Sequence, residues 1–452
     1  MRIWILAVTA VVGLLRPAAA QVPALSTRDV LALATEPPAS FERTWEARVR
    51  TAGKGASGDA LEEIRAARAR GYIDYVYFRW RETGETTPGT WPARRRAVAA
   101  VDVNDAGALD RREHPAFLDA WLRAEARARL ASDASLGTGD NRWLRARFAV
   151  VEAQVRDPLV RRRLLRDALA LHIEDNGARG VPALIDRYVA LTGATGSDLD
   201  PLRRAAAEAL APAAGDRVET YKRVDGVALE AHVFAPAGAT GTRPGLLWFH
   251  GGSWAGGSWS HCPTVCRVAR EAGYVVIQIE YRTDDRFASG PLAVIADARD
   301  ALAWAHRRAG DLGIDPARLL VAGFSSGGTV AALLATTSPA GHVRGGVLMS
   351  ACLAPSHDSW FLRMTEGRIP QRDITPSAQI DAADPAVLAA HGDADEMCPY
   401  SDTAAFIEAA RAAGTGPELL TLPGATHFFP FRSPDARTRA AEAVTRFLER
   451  RR

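Results

Sequence analysis

The spacing of apolar residues changes once along the chain, and the change divides it. From about Ser26 to Leu210, apolar positions recur every three or four residues, most clearly over residues 116–130, 143–155 and 159–173. That spacing lays a continuous stripe along one side of an α-helix. Pro158 and Pro182 stand where helices can begin, and glycines at 53–58 and 137–139 punctuate between them. At Ala211-Pro212-Ala213-Ala214-Gly215 the composition turns small and helix-breaking, which marks a domain boundary. Beyond it, residues 217–224 and 227–234 are extended runs joined by Asp225-Gly226, a strong short hairpin signal. Short apolar runs then follow at 245–249, 274–279, 319–322, 343–349, 386–390 and 418–422, alternating with helical stretches such as 291–309 and 402–413. The pattern predicts an α/β domain at 216–452 with a mostly parallel sheet covered by helices on both faces, after an all-helical domain at 21–215.

The stretch LLVAGFSSGGTVAALL at 319–334 is the centre of the second domain. A buried strand runs into a Gly-flanked serine, and a helical run resumes at once. Gly323, Ser325 and Gly327 fit G-x-S-x-G, where small residues two before and two after the serine let strand and helix approach closely and push the hydroxyl out at the strand's carboxyl end. In such sheets ligands sit at the carboxyl ends of the strands. Three further strand ends carry reactive residue types. His250-Gly251-Gly252-Ser253-Trp254 follows the 245–249 run, and its glycines let amides face a developing negative oxygen. His391-Gly392-Asp393-Ala394-Asp395 follows the 386–390 run, and Gly424-Ala425-Thr426-His427 follows the last strand. Serine, carboxylate and histidine thus appear in chain order, with Asp393 and Asp395 both open as the carboxylate.

Composition narrows the rest. Apolar residues at 47% and charged residues at 24% of a 452-residue chain are ordinary for a water-soluble globular protein. A net charge of +3, with arginines interleaved among acids, calls for neither a nucleic-acid partner nor an anionic membrane. Arg2, the apolar residues 3–15 and Ala18-Ala19-Ala20 form a pattern expected of a secretory signal peptide at 1–20, and no later segment is long enough to span a bilayer. Export to the periplasm or medium is the expectation. Four cysteines are too few to staple the fold together. Cys262 and Cys266 beside His261 suggest a metal fragment, but it lacks a fourth ligand. Cys352 and Cys398 follow neighbouring strand ends, and a bond between them is one pairing the chain allows, connectivity being left open. Asp102, Asn104, Gly107 and Glu113 match parts of a calcium loop, but Ala106 takes a ligand position and Arg111-Arg112 intrudes. No cofactor or metal is expected. Trp45, Trp80, Trp91, Trp121 and Trp143 are read as packing residues, and the helical half reveals no nucleophile-and-base pair.

Five motifs in order, FHGGSW at 249–254, EYRT at 280–283, LGIDPARLLVAGFSSGG at 312–328, HGDADEMCP at 391–399 and GATHFF at 424–429, resemble the α/β-hydrolase family. Within it the chain is similar to bacterial carboxylesterases and carbohydrate esterases of the acetyl-xylan and feruloyl esterase kind. The resemblance covers roughly residues 218–451 and excludes the helical half. It implies that Ser325 is the nucleophile, His427 the base and Asp395 the acid that orients it. It also implies an oxyanion hole from the amides of Gly251, Gly252 and Ser326. The expected substrate is a small-molecule or carbohydrate ester of a short acyl or feruloyl group. Residues 356–377, with Trp360, Phe361 and Met364, could wall the acyl side or simply pack. A serine peptidase of the same fold is the alternative, although helices replace its expected propeller domain. A non-catalytic interaction protein is a third reading, disfavoured because it would have no need for the triad. Oligomeric state is left open.

Overall fold

A computed structural model describes residues 25–452 except 86, 88–89, 138, 212–215, 237–240, 263, 356–358 and 366–367. The expected leader at 1–20 and nearly all of the expected boundary at 211–215 lie outside the described residues. The chain divides into two compact units, one of them mainly helical and ending at Glu208, the other taking Ala209–Arg452 together with Asp175–Gly177. Among the described residues no helix is long and apolar enough to cross a membrane.

The helical unit contains α1 (Pro38–Ala52), α2 (Asp59–Thr83), α3 (Pro92–Ala99), α4 (Glu113–Ser132), α5 (Arg142–Gln154), α6 (Pro158–Asn176), α7 (Val181–Thr192) and α8 (Asp200–Leu210). Pro158 opens α6, and Pro182 lies in the first turn of α7, where its missing N–H costs no intrahelical bond. An aromatic cluster forms part of its core. Phe41 stacks on Tyr75 at 3.9 Å between centroids, Trp91 meets Tyr72 edge-on, and Trp45 is fully buried. Trp121 is buried too, whereas the rings of Trp80 and Trp143 carry the Arg127 guanidinium. The residues of the apparent calcium loop go to protein partners. Asn104 Oδ1 accepts from the Arg156 and Asp157 amides, and Glu113 pairs with Arg70 at 2.8 Å.

The other unit is built on an eight-stranded sheet in the order β1-β2-β4-β3-β5-β6-β7-β8. Its strands are β1 (Asp216–Val224), β2 (Val227–Phe234), β3 (Arg243–Phe249), β4 (Val275–Ile279), β5 (Ile314–Phe324), β6 (Gly345–Met349), β7 (Val387–Gly392) and β8 (Glu418–Leu422). β2 is antiparallel to both β1 and β4, and the remaining pairs are parallel. This is the expected α/β architecture. The helices are α9 (Val265–Glu271), α10 (Pro291–Arg307), α11 (Ser326–Thr337), α12 (Tyr400–Ala412) and α13 (Pro434–Glu449).

Alternation along the strands splits the core into two layers. Leu247, Phe249, Ile277 and Val321 join Val294 and Ala298 of α10 and Val330 of α11 on one face. Leu246, Trp248, Val276 and Leu320 join Val268 of α9 and Val444, Phe447 and Leu448 of α13 on the other. At one edge of the sheet, Asp297 is fully buried and takes Arg282 Nε and Nη2 at 2.8 Å and Lys222 Nζ at 2.7 Å. The arginine of the EYRT motif therefore ties the end of β4 to α10 and β1. Removing one partner of such a cluster would leave a buried charge uncompensated.

Gly71 lies mid-helix in α2, and a Cβ there would come within 2.1 Å of Trp45 Cζ2. In an exposed helix, glycine to alanine is worth about 1 kcal/mol of added stability. Here the overlap reverses the sign. Gly71→Ala should destabilise the helical unit by about 1–3 kcal/mol, the usual range for overpacking, with altered tryptophan fluorescence. A variant as stable as the parent in denaturant titration would show that Trp45 does not need the gap.

Candidate active site

β5 ends at Phe324, and α11 begins at Ser326. Between them Ser325 has φ 55 and ψ −124, a left-handed conformation rare for a residue with a side chain. The turn is this tight because its flanking residues lack Cβ atoms. A Cβ on Gly323 would lie 2.1 Å from Gly327 O, and one on Gly327 would lie 2.2 Å from the Phe249 and His250 carbonyls. The Ser325 amide donates to Met349 O at 3.0 Å, fastening the turn to the end of β6.

Three residues separated in sequence meet at the hydroxyl. His427, in the loop after β8, places Nε2 3.0 Å from Ser325 Oγ and Nδ1 2.8 Å from Asp395 Oδ2. The carboxylate can only accept, so Nδ1 carries the proton and Nε2 is free to accept from the serine. All three side chains are buried. Asp395, of the two acids left open by the residues alone, is the one at the histidine. Asp393 is exposed, and its Oδ1 accepts the Gly424 amide at 2.6 Å.

Asp395 is held from four directions. Oδ1 accepts the amides of Met397 and Cys398 at 2.8 and 2.9 Å. Oδ2 takes His427 and also lies 3.1 Å from Nε2 of His391. That nitrogen also donates to Cys398 O at 2.8 Å, and His391 Nδ1 accepts from the Thr403 hydroxyl. Burial alone would push the Asp395 carboxyl up, but the hydrogen bonds from His391 and His427 outweigh it and hold the group well below the usual carboxylate range.

The loop after β3 reverses direction through left-handed residues at Gly252, Ser253 and Trp254. Gly251 packs against the serine turn, where a Cβ would meet Phe324 Cδ1 at 2.7 Å and Ser325 Cβ at 3.1 Å. Among the described residues neither the Gly251 nor the Gly252 amide is bonded to a protein acceptor. The Ser326 amide opens α11, where helical N–H groups have no intrahelical partner and the dipole favours negative charge. Ser326 Oγ accepts the Ser253 amide at 3.2 Å, a link between the two loops that sequence alone did not reveal. His250 Nδ1 donates to Gly251 O at 2.7 Å, and the Tyr281 hydroxyl donates to His250 O. The tyrosine of EYRT thus supports this loop. Burial pushes that hydroxyl well above its ordinary value, so it remains a donor. Asn176, which belongs to this same compact unit, accepts the Gly257 amide at 2.9 Å.

Both cysteine pairs are bonded, Cys262 to Cys266 and Cys352 to Cys398. The first pair commits the Cys262 and Cys266 sulfurs to each other, a pairing the sequence did not single out. Of the segment at 356–377, Phe361 is core, packed on Trp254 at 5.2 Å between centroids, and Met364 covers Gly290. The Trp360 side chain lies outside the described residues.

This strand order, with a serine at the tight turn after β5 and an acid and a histidine after β7 and β8, is that of the α/β-hydrolase fold. Residues 232–349 match the BD-FAE family model. The chain is 32% identical over 155 residues to an AB hydrolase superfamily protein of Schizosaccharomyces pombe, covering 31% of this chain and 44% of that protein. It is 33% identical over 110 residues to carboxylesterase NlhH of Mycobacterium tuberculosis, covering 24% and 33%. The chain thus spans less than half the length of these curated relatives. A solved structure of Thermogutta terrifontis esterase 2, phosphoramylated by tabun, aligns with a TM-score of 0.49 at 26% identity over 52% of this chain and 94% of that one. The likenesses are thus to carboxylesterases and other α/β-hydrolases, each over part of the relative's length.

Burial pushes the His250 imidazole down to about 3, against about 6.5 for an ordinary histidine. The stability this buried neutral ring contributes is whole above pH 6.5 and is lost progressively as pH falls toward 3. Between pH 6.5 and 5 the loss amounts to about 2 kcal/mol. Denaturant unfolding at those two pH values should show a loss smaller by about that amount in His250→Asn than in the parent, and equal losses would mean that the ring is charged or solvated in the folded state.

Proposed function

We propose that this protein is an exported serine hydrolase that cleaves carboxylic esters of short acyl or feruloyl groups through an acyl-enzyme. The single observation that carries the reading is the hydrogen-bonded line from Asp395 through His427 to Ser325, at 2.8 and 3.0 Å. The names of the relatives lend support, since the M. tuberculosis protein is a carboxylesterase. Export rests on the composition of residues 1–20.

In this mechanism Ser325 Oγ attacks the ester carbonyl carbon while its proton passes to His427 Nε2. The imidazolium formed is stabilised by the Asp395 carboxylate, which stays ionised because its bonds hold it so. The carbonyl oxygen becomes an oxyanion facing the amides of Gly251, Gly252 and Ser326 at the head of α11. Collapse expels the alcohol, which takes the proton from Nε2, and leaves the acyl group on Ser325. Water then enters, gives its proton to His427 and attacks the acyl carbon. The serine leaves with that proton and the carboxylic acid is released.

A panel of aryl acetates, feruloyl esters and chromogenic peptides tests the reading on protein lacking residues 1–20. Turnover of the esters is expected, and cleavage of peptides alone would replace the esterase reading with a peptidase one. Ser325→Ala should lower kcat by about 10⁴-fold or more, and Asp395→Asn by about 10⁴-fold because the imidazole loses its tautomer. Retention of parental kcat in either variant would refute the roles assigned here.

A further inference from the structure

Cys352 lies just past β6, and Cys398 lies in the loop past β7 that carries Asp395. Each cysteine's own backbone is bonded to the catalytic line on its side. The Cys352 amide donates to Ser325 O at 3.4 Å, and Cys352 O accepts the Thr329 hydroxyl of α11 at 2.7 Å. The Cys398 amide donates to Asp395 Oδ1 at 2.9 Å, and Cys398 O accepts from His391 Nε2, which also faces Asp395 Oδ2. The sulfur bridge closes the gap between these two sets of bonds across a Cα separation of 4.8 Å. Its Cys352 sulfur lies 3.9 Å from Ser325 Oγ.

We propose that the Cys352–Cys398 disulfide is a redox-sensitive positioning element that ties the loop bearing Asp395 to the turn bearing Ser325, so that its reduction slows the chemical step. The inference rests on the ester-hydrolase reading given above. β6 and β7 pair only as far as Met349 and Ala390. The Ser350 amide still donates to Ala390 O at 3.0 Å; past it no ladder bond joins the two loops among the described residues, and the covalent link takes over there. The resulting geometry matters because a displacement of about 1 Å between reacting groups can cost about 100-fold in rate. Asp395 is also more sensitive than Ser325. The serine is held by the packed helix–strand turn, whereas two of the four contacts on the carboxylate come from amides of the cysteine's own loop.

The bridge is open to attack on one side. Cys398 is 1% exposed, whereas Cys352 is half-buried. A dithiol reductant attacks the Cys352 sulfur as its thiolate, breaking the S–S bond and releasing the Cys398 thiolate, which takes up a proton. The reductant's second thiol then displaces Cys352 as a second thiol. Two electrons and two protons pass to the protein, and the dithiol leaves as a cyclic disulfide.

The experiment uses the full chain carrying Cys262→Ser and Cys266→Ser, so that one bond remains, before and after dithiothreitol. Three readings are taken: kcat and KM for an aryl acetate, thiol titration, and amide exchange by mass spectrometry over residues 393–400. We expect no free thiols before reduction and two after. Reduction should lower kcat by about tenfold or more with KM within about twofold, faster exchange of the Met397 and Cys398 amides, and full recovery on reoxidation. Cys352→Ala/Cys398→Ala should have the low kcat from the start and no response to dithiothreitol. Two free thiols in the untreated protein, unchanged exchange on reduction, or a rise in KM at constant kcat would each overturn the proposal. Untreated protein that exchanges as expected but turns over no ester would instead overturn the hydrolase reading.

Discussion

The backbone at Ser325 is the constraint on which the rest depends. A residue with a side chain at φ 55 and ψ −124 costs on the order of 1–3 kcal/mol relative to relaxed backbone, and it persists only where its surroundings leave no alternative. Here those surroundings are specific. Gly323 and Gly327 are in contact with backbone on both sides, the Ser325 amide is taken by Met349, and α11 behind the turn is buried along its length. The sheet supplies this rigidity. β5 lies between β3 and β6, parallel to both, so the turn cannot relax without disturbing its neighbours.

Strand order then does what chain order cannot. Adjacent strands lie about 4.8 Å apart, so the loops after β3, β5, β6, β7 and β8 open in sequence along one rim. The 250–254 loop sits beside the serine because β3 pairs with β5, although 75 residues separate Gly251 from Ser326. The acid and the histidine come from the next strands outward. Their loops reach back across β6, and this is why the connection past β6 carries contacts to both sides. Ser350 Oγ donates to His427 O at 3.0 Å from that same connection.

Most of the architecture was legible in the sequence, and for a plain reason. The strands from β3 on fall on short apolar runs that reflect burial, β1 and β2 on extended runs joined by the Asp225-Gly226 hairpin signal, and the main helices on three- and four-residue spacings. Ser325 and His427 stood out because each follows a strand end with its own local motif, whereas only the family resemblance separated Asp395 from Asp393; the structure brings the three side chains together. The unread part consists of partners that have no period. The bond between Cys262 and Cys266 went unread because spacing records which residue types are near one another and not which of them join. The Ser326 hydroxyl holds the Ser253 amide, and G-x-S-x-G leaves that position open, so nothing in the motif marks it. Asn176 lies in a helix with no motif, and nothing local marks it as an acceptor for Gly257. α13 carries apolar residues at helical spacing and was not singled out, yet Val444, Phe447 and Leu448 form one face of the sheet's cover. Phe361 was legible as apolar and its destination was not, since core and pocket wall require the same residue type.

The two acids of the HGDAD loop show how little separates the carboxylate at the histidine from an ordinary one. Asp393 is exposed and uses one oxygen to accept a backbone amide. Two residues later Asp395 is buried, and an ionised carboxylate removed from water costs several kcal/mol unless donors replace the lost solvent. The donors are two amides and two imidazoles. The amides exist in that geometry only while residues 395–398 keep their turn, and His391 faces Oδ2 only while its Nε2 is also held by Cys398 O. The charge on Asp395 and the shape of its loop are therefore one property rather than two. Anything that opens the loop withdraws donors from the carboxylate, and a carboxylate short of donors no longer holds His427 in the tautomer that leaves Nε2 free to accept the serine proton. The strain at Ser325 fixes where the hydroxyl is, and the loop around Asp395 fixes the carboxylate that orients the imidazole facing it.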